Sequence, residues 1–279
     1  MTEVIDTIAE KYRIYHVVTE SRENTLKEWS VTARGILRIY LNFFYWLFHR
    51  PFKIIQIVEQ FMRCLIEGFV TIIIGSVVMG MFIAWLGGYF GSLYGSINLI
   101  GPTATFGIIH EFTILLVGML YACRVGTAFT VEIGSMAMSG QLDAQRMMAV
   151  EPIQLIVIPR VVGSVLSILL LLGISNGISL ISTTLFLNLW FQVAPSTILD
   201  NAFTFLKSGT VTQSFVRIAL IGFFISLNAC AAGFYFNGGA IELGKATTKS
   251  IVINFIYVLI IMLITQILLT LTGFFTDAL

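Results

Sequence analysis

Long apolar segments alternate with short polar ones along most of the chain, and this pattern predicts membrane-spanning helices. A helix rises about 1.5 Å per residue, so about 20 apolar residues cross the roughly 30 Å of hydrocarbon in a bilayer. Five segments are long enough. The third exceeds one crossing, so we expect its end to tilt or to loop along the membrane surface. The predicted spans are about 67–90, 103–123, 161–199, 213–236 and 251–274.

The beginning of the chain follows a different pattern. Residues 1–32 are polar and charged, which predicts a cytosolic N-terminal segment. Residues 33–63 contain an apolar core, 39–48, that is too short to cross a bilayer, is rich in aromatic side chains and has basic residues on both sides. This composition is typical of an amphipathic helix in the membrane interface. The alternative is a buried amphipathic helix of a soluble domain.

Together these segments predict an all-α polytopic membrane protein, with an N-terminal interfacial helix and a five-helix domain at 64–279. The composition agrees, because 57% of the residues are hydrophobic and only 11% are charged, whereas soluble domains carry about 25% charged residues. The net charge of +1 argues against a nucleic-acid surface. The three cysteines lack the spacing of a metal or redox site, so we expect them to pack as small apolar side chains.

The distribution of basic residues predicts the orientation in the membrane. The loops at 124–160 and 237–250 contain five Lys and Arg residues, whereas the loops at 91–102 and 200–212 contain only Lys207. Basic loops stay in the cytosol, so we expect a cytoplasmic N-terminus and, after five crossings, a periplasmic C-terminus. The first residues show no pattern of a cleavable signal or organelle-targeting peptide, which favours a bacterial inner membrane.

The segment GGAIELGKATTKS, residues 238–250, comes within one residue of a nucleotide-binding loop. Gly239–Lys245 fits the G-x-x-x-x-G-K pattern, but Ala246 stands where Ser or Thr would bind magnesium. A working loop follows a β-strand in a soluble domain, whereas this segment links two predicted spans. We therefore expect a tight cytosolic turn, with Thr247 or Thr248 capping the fifth helix, and no ATP hydrolysis by this chain.

The other predicted cytosolic loop, 124–160, contains a predicted short helix at 141–150. Four of the ten methionines lie in this loop, and methionine is an adaptable contact residue. An apolar helix face beside a membrane domain suggests docking to a cytosolic partner. Packing of the loop against the spans is an equally good alternative.

The same loop, CRVGTAFTVEIGSMAMSGQLDAQRMMAVEPIQLIVIPR, resembles the signature of the MlaE/YrbE-type permeases, which are membrane subunits of MCE-associated ABC transporters. A second segment, GGAIELGKATTKSIV, resembles another conserved segment of that family. The resemblance covers roughly residues 55–275. The residues of the first segment that fit the family pattern are Arg124, Gly126, Ala128, Glu132, Gly134, Met136, Gln141, Ala144, Met148, Glu151, Pro152, Pro159 and Arg160.

This chain departs from the family pattern at two places. The second span of the family often reads Arg-Glu-[LF]-[GA]-Pro, whereas here His110, Glu111, Phe112 and Thr113 follow one another without a proline. The resemblance therefore does not predict a helix break at this position of the chain. Cys123 also stands where the family usually has glycine.

The resemblance implies a non-catalytic subunit of a larger machine. Family members pair as homodimers, sit on two copies of a cytosolic ABC ATPase and lie below a periplasmic MCE-domain protein, and a small cytosolic STAS-type subunit is a further candidate partner. Their substrates are phospholipids or other lipids, and the loop around 132–150 would be the coupling helix that contacts the ATPase. We assign ATPase coupling to Glu132, Gln141, Leu142, Asp143, Gln145, Arg146 and Met148.

Two charged residues lie inside predicted spans. Glu111 and Arg217 lie about eight and about four residues, or about 12 Å and about 6 Å, from the outer ends of the predicted spans 103–123 and 213–236. An unpaired charge at that depth costs several kcal/mol, so such residues face a cavity or a partner. We hypothesise that the two line, or pair across, a periplasmic cavity for a lipid headgroup. A purely structural ion pair is the alternative.

The apolar part of this lipid site is predicted at the end of the first span, where aromatic side chains suit the interface and aliphatic ones suit acyl chains. The residues predicted there are Ala84, Leu86, Tyr89, Leu93 and Tyr94.

These observations favour the permease subunit of a lipid-transporting ABC complex. The main alternative is a secondary transporter in which His110 and Glu111 relay protons. A membrane scaffold would have no reason to bear two intramembrane charges. A lipid-modifying enzyme ranks lowest, because the sequence shows no nucleophile–base pair and no cluster of metal ligands, and no cofactor is predicted.

Overall fold

The computed structural model describes five continuous stretches and a few single residues, and every regular element among them is helical. The stretches are 54–93, 107–149, 151–196, 208–236 and 238–271, and the single residues are Ile39, Tyr40, Phe43, Thr105, Ile198 and Asp200.

Seven α-helices and three π-helical turns follow one another in the described residues. The helices are α1 (Ile54–Leu93), α2 (Thr113–Tyr121), α3 (Thr127–Met138), α4 (Gln141–Met147), α5 (Ile158–Phe191), α6 (Ser208–Phe234) and α7 (Ala240–Leu271). The π turns are Ile108–Phe112 before α2, Ala122–Gly126 between α2 and α3, and Ile153–Val157 before α5.

The predicted number of spans is confirmed. Five helical segments in the described part of the chain are long and apolar enough to cross a membrane, and α2 and α3 together form the second. Successive spans run in opposite directions, so the short helix α4 lies at one end of the bundle, which we call the α4 end. The five segments are Ile54–Leu93, Thr113–Met138, Ile153–Phe191, Val211–Phe234 and Ala240–Leu268.

The helices extend beyond the predicted spans at the α4 end. Residues 54–63, predicted as the end of the interfacial helix, continue directly into the first span within α1. Helix α3 runs into the predicted loop 124–160, and α7 takes up most of the predicted loop 237–250. Hydropathy marks where a helix meets lipid, whereas capping residues and glycine mark where its hydrogen bonding ends. The two boundaries differ here by several turns.

The predicted cap of the fifth helix is wrong. Thr247 and Thr248 lie inside α7, and their hydroxyls donate to the carbonyls of Leu243 and Gly244, at 2.8 Å and 3.1 Å. The helix starts earlier because Glu242 supplies the cap. Its Oε2 accepts a hydrogen bond from the backbone N–H of residue 239 at 3.0 Å.

The turn before α7 depends on one glycine. Gly238 has φ = 149°, a conformation that side chains with a Cβ rarely adopt. Gly244, predicted as part of the same turn, lies within the helix. The part of the nucleotide-loop pattern from Ala240 to Lys245 is therefore helical and cannot wrap around a phosphate.

Part of the predicted interfacial helix packs against the middle of the bundle. Ile39 and Phe43 are buried. The ring centroid of Tyr40 lies 5.9 Å from that of Phe224 in α6, which lies 5.9 Å from that of Tyr257 in α7. These aromatic contacts hold Tyr40 against α6, next to Tyr257 of α7.

A row of hydroxyl groups joins α1 to α5 along the centre of the bundle. Ser76 and Ser175 are linked through their hydroxyls at 2.6 Å, and the hydroxyl of Ser179 donates to the carbonyl of Ser76 at 3.1 Å. Further along, the hydroxyl of Thr183 donates to the carbonyl of Gly80 at 2.9 Å. Small residues allow two membrane helices to approach closely enough for such bonds.

We predict that replacing Gly80 by Ala destabilises the chain, because a Cβ at this position would lie 2.5 Å from the carbonyl oxygen of Ser179. Overpacking of this kind costs about 1–3 kcal/mol. The thermal unfolding midpoint of the purified chain in detergent should fall.

Gly173→Ala is the matched control, because nothing lies within 4 Å of a Cβ added at that position. Alanine is the better helix former, so this variant should unfold at or above the temperature of the parent. Equal unfolding temperatures for the two variants would contradict the close contact between α1 and α5.

Candidate functional site

A polar trio lies inside the apolar bundle, at the end opposite α4. The guanidinium of Arg217 in α6 donates through Nη1 to Oε1 of Glu111 at 3.0 Å, and through Nη2 to Oε1 of Gln266 in α7. The Arg217 side chain is 2% exposed and that of Glu111 is 37% exposed. The sequence did not decide whether Glu111 and Arg217 pair. In the structure they form an ion pair, and the Glu111 side chain stays partly exposed.

The position of Glu111 depends on a π-helical turn. Glu111 lies within Ile108–Phe112, where the helix takes one residue more per turn than an α-helix. The extra residue changes the direction in which the side chain leaves the helix. The family proline is absent here, and the helix passes through the turn without a break. The side chain of the neighbouring His110 lies outside the described residues.

Sequence reasoning missed the third member of the trio. Gln266 is one of two amides in the predicted fifth span, the other being Asn254, and a polar residue within a span is itself a signal of an internal partner. Because Gln266 carries no charge, a search for intramembrane charges passes over it.

The apolar side chains predicted to form a lipid site at the end of the first span differ in their burial in the structure. Ala84 is fully buried and packs with Leu187 between α1 and α5, and Leu86 is partly buried. Among the α1 side chains that pack against the π turn before α2 is instead Ile83, which is buried with Ile108. Sequence reasoning missed Ile83, because hydropathy does not show which face of an all-apolar helix turns inward.

The other predicted apolar contacts lie on the outside of the bundle. Tyr89 is 49% exposed and stacks on Trp85, with 5.9 Å between ring centroids, and Leu93 is 59% exposed at the end of α1. Tyr94 lies outside the described residues. Among the described residues of the predicted set, Tyr89 and Leu93 are therefore the two with exposed side chains.

A second charged cluster joins three spans at the α4 end. Oε2 of Glu132 in α3 lies 3.0 Å from Nη2 of Arg160 in α5, and its Oε1 pairs with Arg63 of α1. Arg63 also pairs with Glu67 at 3.1 Å, and the guanidinium of Arg160 lies 5.6 Å from the ring centroid of Phe129. Glu132, predicted to couple to an ATPase, is thus held by two arginines within the protein.

Helix α4 is a short surface helix between two left-handed residues. Gly140 has φ = 71° and Ala149 has φ = 57°, so the chain turns sharply at both ends and the helix is shorter than the predicted 141–150. Leu142 is 4% exposed and anchors α4 to the core. Gln145 is partly buried and Gln141 is exposed.

The remaining predicted coupling residues of α4 divide into two groups. Met148 and its neighbour Met147 are 71% and 90% exposed, so they project from the protein. Asp143 pairs with Arg146 at 3.0 Å. The guanidinium of Arg146 also lies 5.4 Å from the ring centroid of Phe234, at the end of α6. Arg146 therefore contacts the bundle as well as solvent.

We predict that Glu132→Gln destabilises the chain much more than Glu67→Gln. The first change leaves the buried guanidinium of Arg160 without a carboxylate, and breaking a buried ion pair costs about 3–5 kcal/mol. The second removes only a partner of the half-exposed Arg63 and costs about 0–1 kcal/mol. Thermal unfolding in detergent measures both variants.

Adding Arg160→Gln to the Glu132→Gln variant removes the unpaired charge and should recover part of the lost stability. Equal unfolding temperatures for the two single variants would contradict the assignment of Glu132 to a buried cluster.

Known proteins resemble this chain over most of the helical bundle. The model of the family Permease MlaE matches residues 57–268. A probable ABC transporter permease protein from Synechocystis sp. is 28% identical over 167 residues, which are 60% of this chain and 64% of that protein. One from Rickettsia bellii is 28% identical over 169 residues, which are 61% and 65% of the two chains.

A plant protein is also similar. The chloroplast protein trigalactosyldiacylglycerol 1 of Arabidopsis thaliana is 26% identical over 161 residues, which are 58% of this chain and 46% of that protein. The matched region thus spans just under two thirds of the two bacterial relatives and about half of the plant one. The family match covers more than half of this chain, with all five spans included in whole or in large part. This chain therefore belongs to the MlaE permease family.

Proposed function

We propose that this chain is the permease subunit of an ABC transporter that moves phospholipid, or a related lipid, between its own membrane and an MCE-domain partner. The observation that carries the proposal is the polar trio of Glu111, Arg217 and Gln266 within an apolar bundle. Two further points support a lipid substrate. The protein is a multi-pass member of a permease family, and the plant relative is named after trigalactosyldiacylglycerol, a lipid.

The trio has the chemistry to bind a phospholipid headgroup by exchange of partners. A guanidinium binds phosphate through two parallel hydrogen bonds, and an unpaired charge at this depth costs several kcal/mol. A phosphate that replaces Glu111 beside Arg217 keeps the guanidinium paired throughout. Gln266 stays bound and fixes the plane of the guanidinium, while the partly exposed carboxylate of Glu111 can turn outward or meet a headgroup ammonium.

The acyl chains would lie along α1. Tyr89 and Leu93 are the predicted contacts that already face outward. Leu86 and Ala84 would reach the lipid only if α1 and α5 moved apart, since Ala84 lies in their contact. Tyr94 stays a predicted contact.

The partners follow from the family resemblance and from the exposed side chains of α4. We propose that two copies of a cytosolic ABC ATPase bind two copies of this chain at the α4 end, where Met147 and Met148 project. ATP hydrolysis would occur in that partner, and this chain would be non-catalytic. An MCE-domain protein would bind the opposite end. We also propose that a STAS-type subunit joins the complex, that the membrane is the bacterial inner membrane, and that the α4 end faces the cytosol.

Family membership favours this function over a proton-coupled transporter. In the proton-coupled alternative, His110 and Glu111 would act together. Glu111 instead contacts Arg217 in the structure. No observation on the described residues favours the relay.

The first experiment is a purification of the tagged chain in mild detergent, with mass spectrometry of the proteins and lipids that remain bound. We expect an ATPase with a complete phosphate-binding loop, an MCE-domain protein and phospholipid. Recovery of the chain without any ATPase would contradict the proposed function.

We predict that Arg217→Glu lowers the amount of co-purified phospholipid by roughly tenfold, since hydrogen bonds to a charged group contribute about 1.5–3 kcal/mol. The double variant Glu111→Arg with Arg217→Glu restores an ion pair of reversed polarity. It should regain thermal stability without regaining phospholipid, because the fixed, buried charge is now negative. If the double variant binds as much phospholipid as the parent, the trio does not bind the headgroup and the ion pair is purely structural.

We predict that Met147→Glu weakens binding of the ATPase, because it places a charge at an apolar side chain of α4 that is 90% exposed. Met147→Leu keeps an apolar side chain of similar volume and serves as the matched control. The measurement is the ratio of ATPase to permease after purification. Equal ratios for the two variants would place the ATPase contact elsewhere.

A further inference from the structure

Arg146 connects α4 to the end of α6. Its guanidinium carbon lies 5.4 Å from the ring centroid of Phe234, within the range of a cation–π contact. Asp143, one turn earlier on α4, accepts a hydrogen bond from Nη1 of the same guanidinium at 3.0 Å. Sequence reasoning assigned Arg146 to a contact with a partner, whereas the structure gives it a contact within the protein.

Phe234 is the last residue of one uninterrupted helix, and Arg217 lies in the first half of the same helix. Helix α6 has 27 residues, and the two residues are about 26 Å apart along it at 1.5 Å per residue. The second span, which leads into α4, also runs toward the α4 end. The π turn Ile108–Phe112 precedes it, and a second π turn, Ala122–Gly126, lies within it. A π turn is a place where helical register can change, so α6 is the stiffer connection.

The last turns of α6 are also in direct contact with α3. The hydroxyl of Thr130 donates to the carbonyl of Ala229 at 3.1 Å. A Cβ added to Gly233 would lie 2.8 Å from the carbonyl oxygen of Thr130 and 3.1 Å from the nitrogen of Gly134. The two backbones therefore touch, and a displacement of α6 at this end would move the helix that leads into α4.

We propose that Phe234 and Arg146 form a joint through which α4 moves with α6, and hence with the Arg217 end of that helix. Phe234 acts as a positioning residue, since it lies far from the polar trio and orients α4 through Arg146. The biological meaning of the joint rests on the proposed function, in which α4 binds the ATPase and Arg217 binds the lipid. The contact itself is a property of this chain and can be tested without a partner.

The test is hydrogen–deuterium exchange of residues 139–149, with mass spectrometry of the full chain in lipid nanodiscs. Arg217→Gln disturbs the trio, and we expect it to change exchange in this segment by about threefold or more when Phe234 is present. In the Phe234→Leu background, which keeps apolar bulk but removes the ring, Arg217→Gln should have a clearly smaller effect, because only the contact between α6 and α3 still connects α6 to α4. Phe234→Tyr keeps the ring and should respond as the parent does.

Phe236→Ala is the control for loss of a buried ring nearby, because it leaves the partner of Arg146 in place. It should preserve the response to Arg217→Gln. The joint is overturned if Arg217→Gln leaves exchange in 139–149 unchanged in the parent, or if it acts equally in the Phe234→Leu and Phe234→Tyr backgrounds. Neither result depends on whether an ATPase co-purifies, so failure of the joint and failure of the proposed function are distinguishable.

Discussion

The hydrocarbon of a bilayer offers no hydrogen-bond partner, so each polar group inside this bundle needs one from the protein. Many of the polar side chains in the described part of the bundle have such a partner, although some buried atoms, such as the hydroxyl of Thr113, make no hydrogen bond within the chain. Hydroxyls along α1 and α5 bond to each other and to backbone carbonyls, as between Ser76 and Ser175. Two buried guanidiniums, those of Arg160 and Arg217, each face a carboxylate. The close contact of the helices and the placement of the charges both follow from this requirement.

The two buried arginines are held in different ways, and the difference bears on function. Arg160 pairs with Glu132, a carboxylate that a second arginine, Arg63, also holds and that is 23% exposed. Arg217 pairs with Glu111, which is 37% exposed, and with a neutral amide. Replacing the carboxylate of the first pair would leave two cations without it. In the second pair the carboxylate has one cationic partner, and in the proposed function an incoming phosphate would take its place there.

Helix α4 illustrates how far sequence reasoning reached at the other end of the bundle. The methionine-rich, partly apolar segment predicted a short helix that either docks to a partner or packs against the spans, and in the structure Leu142 is buried whereas Met147 and Met148 are exposed. The family resemblance assigned Arg146 and Glu132 to ATPase coupling, and the sequence did not show which residues they contact within the protein. Their contacts, Phe234 and Arg160, come from spans that follow later in the chain.

The sequence by itself determined the fold class, the five spans and the presence of two charges within them, because these follow from local hydropathy over stretches of about 20 residues. The helix ends and the partners of the charges were decided by the tertiary structure. Within the trio, the directly bonded residues Glu111 and Arg217 are 106 positions apart in sequence. Which faces of these apolar helices meet depends on close backbone approach at small residues such as Gly80 and Gly233, and hydropathy carries no information about that rotation.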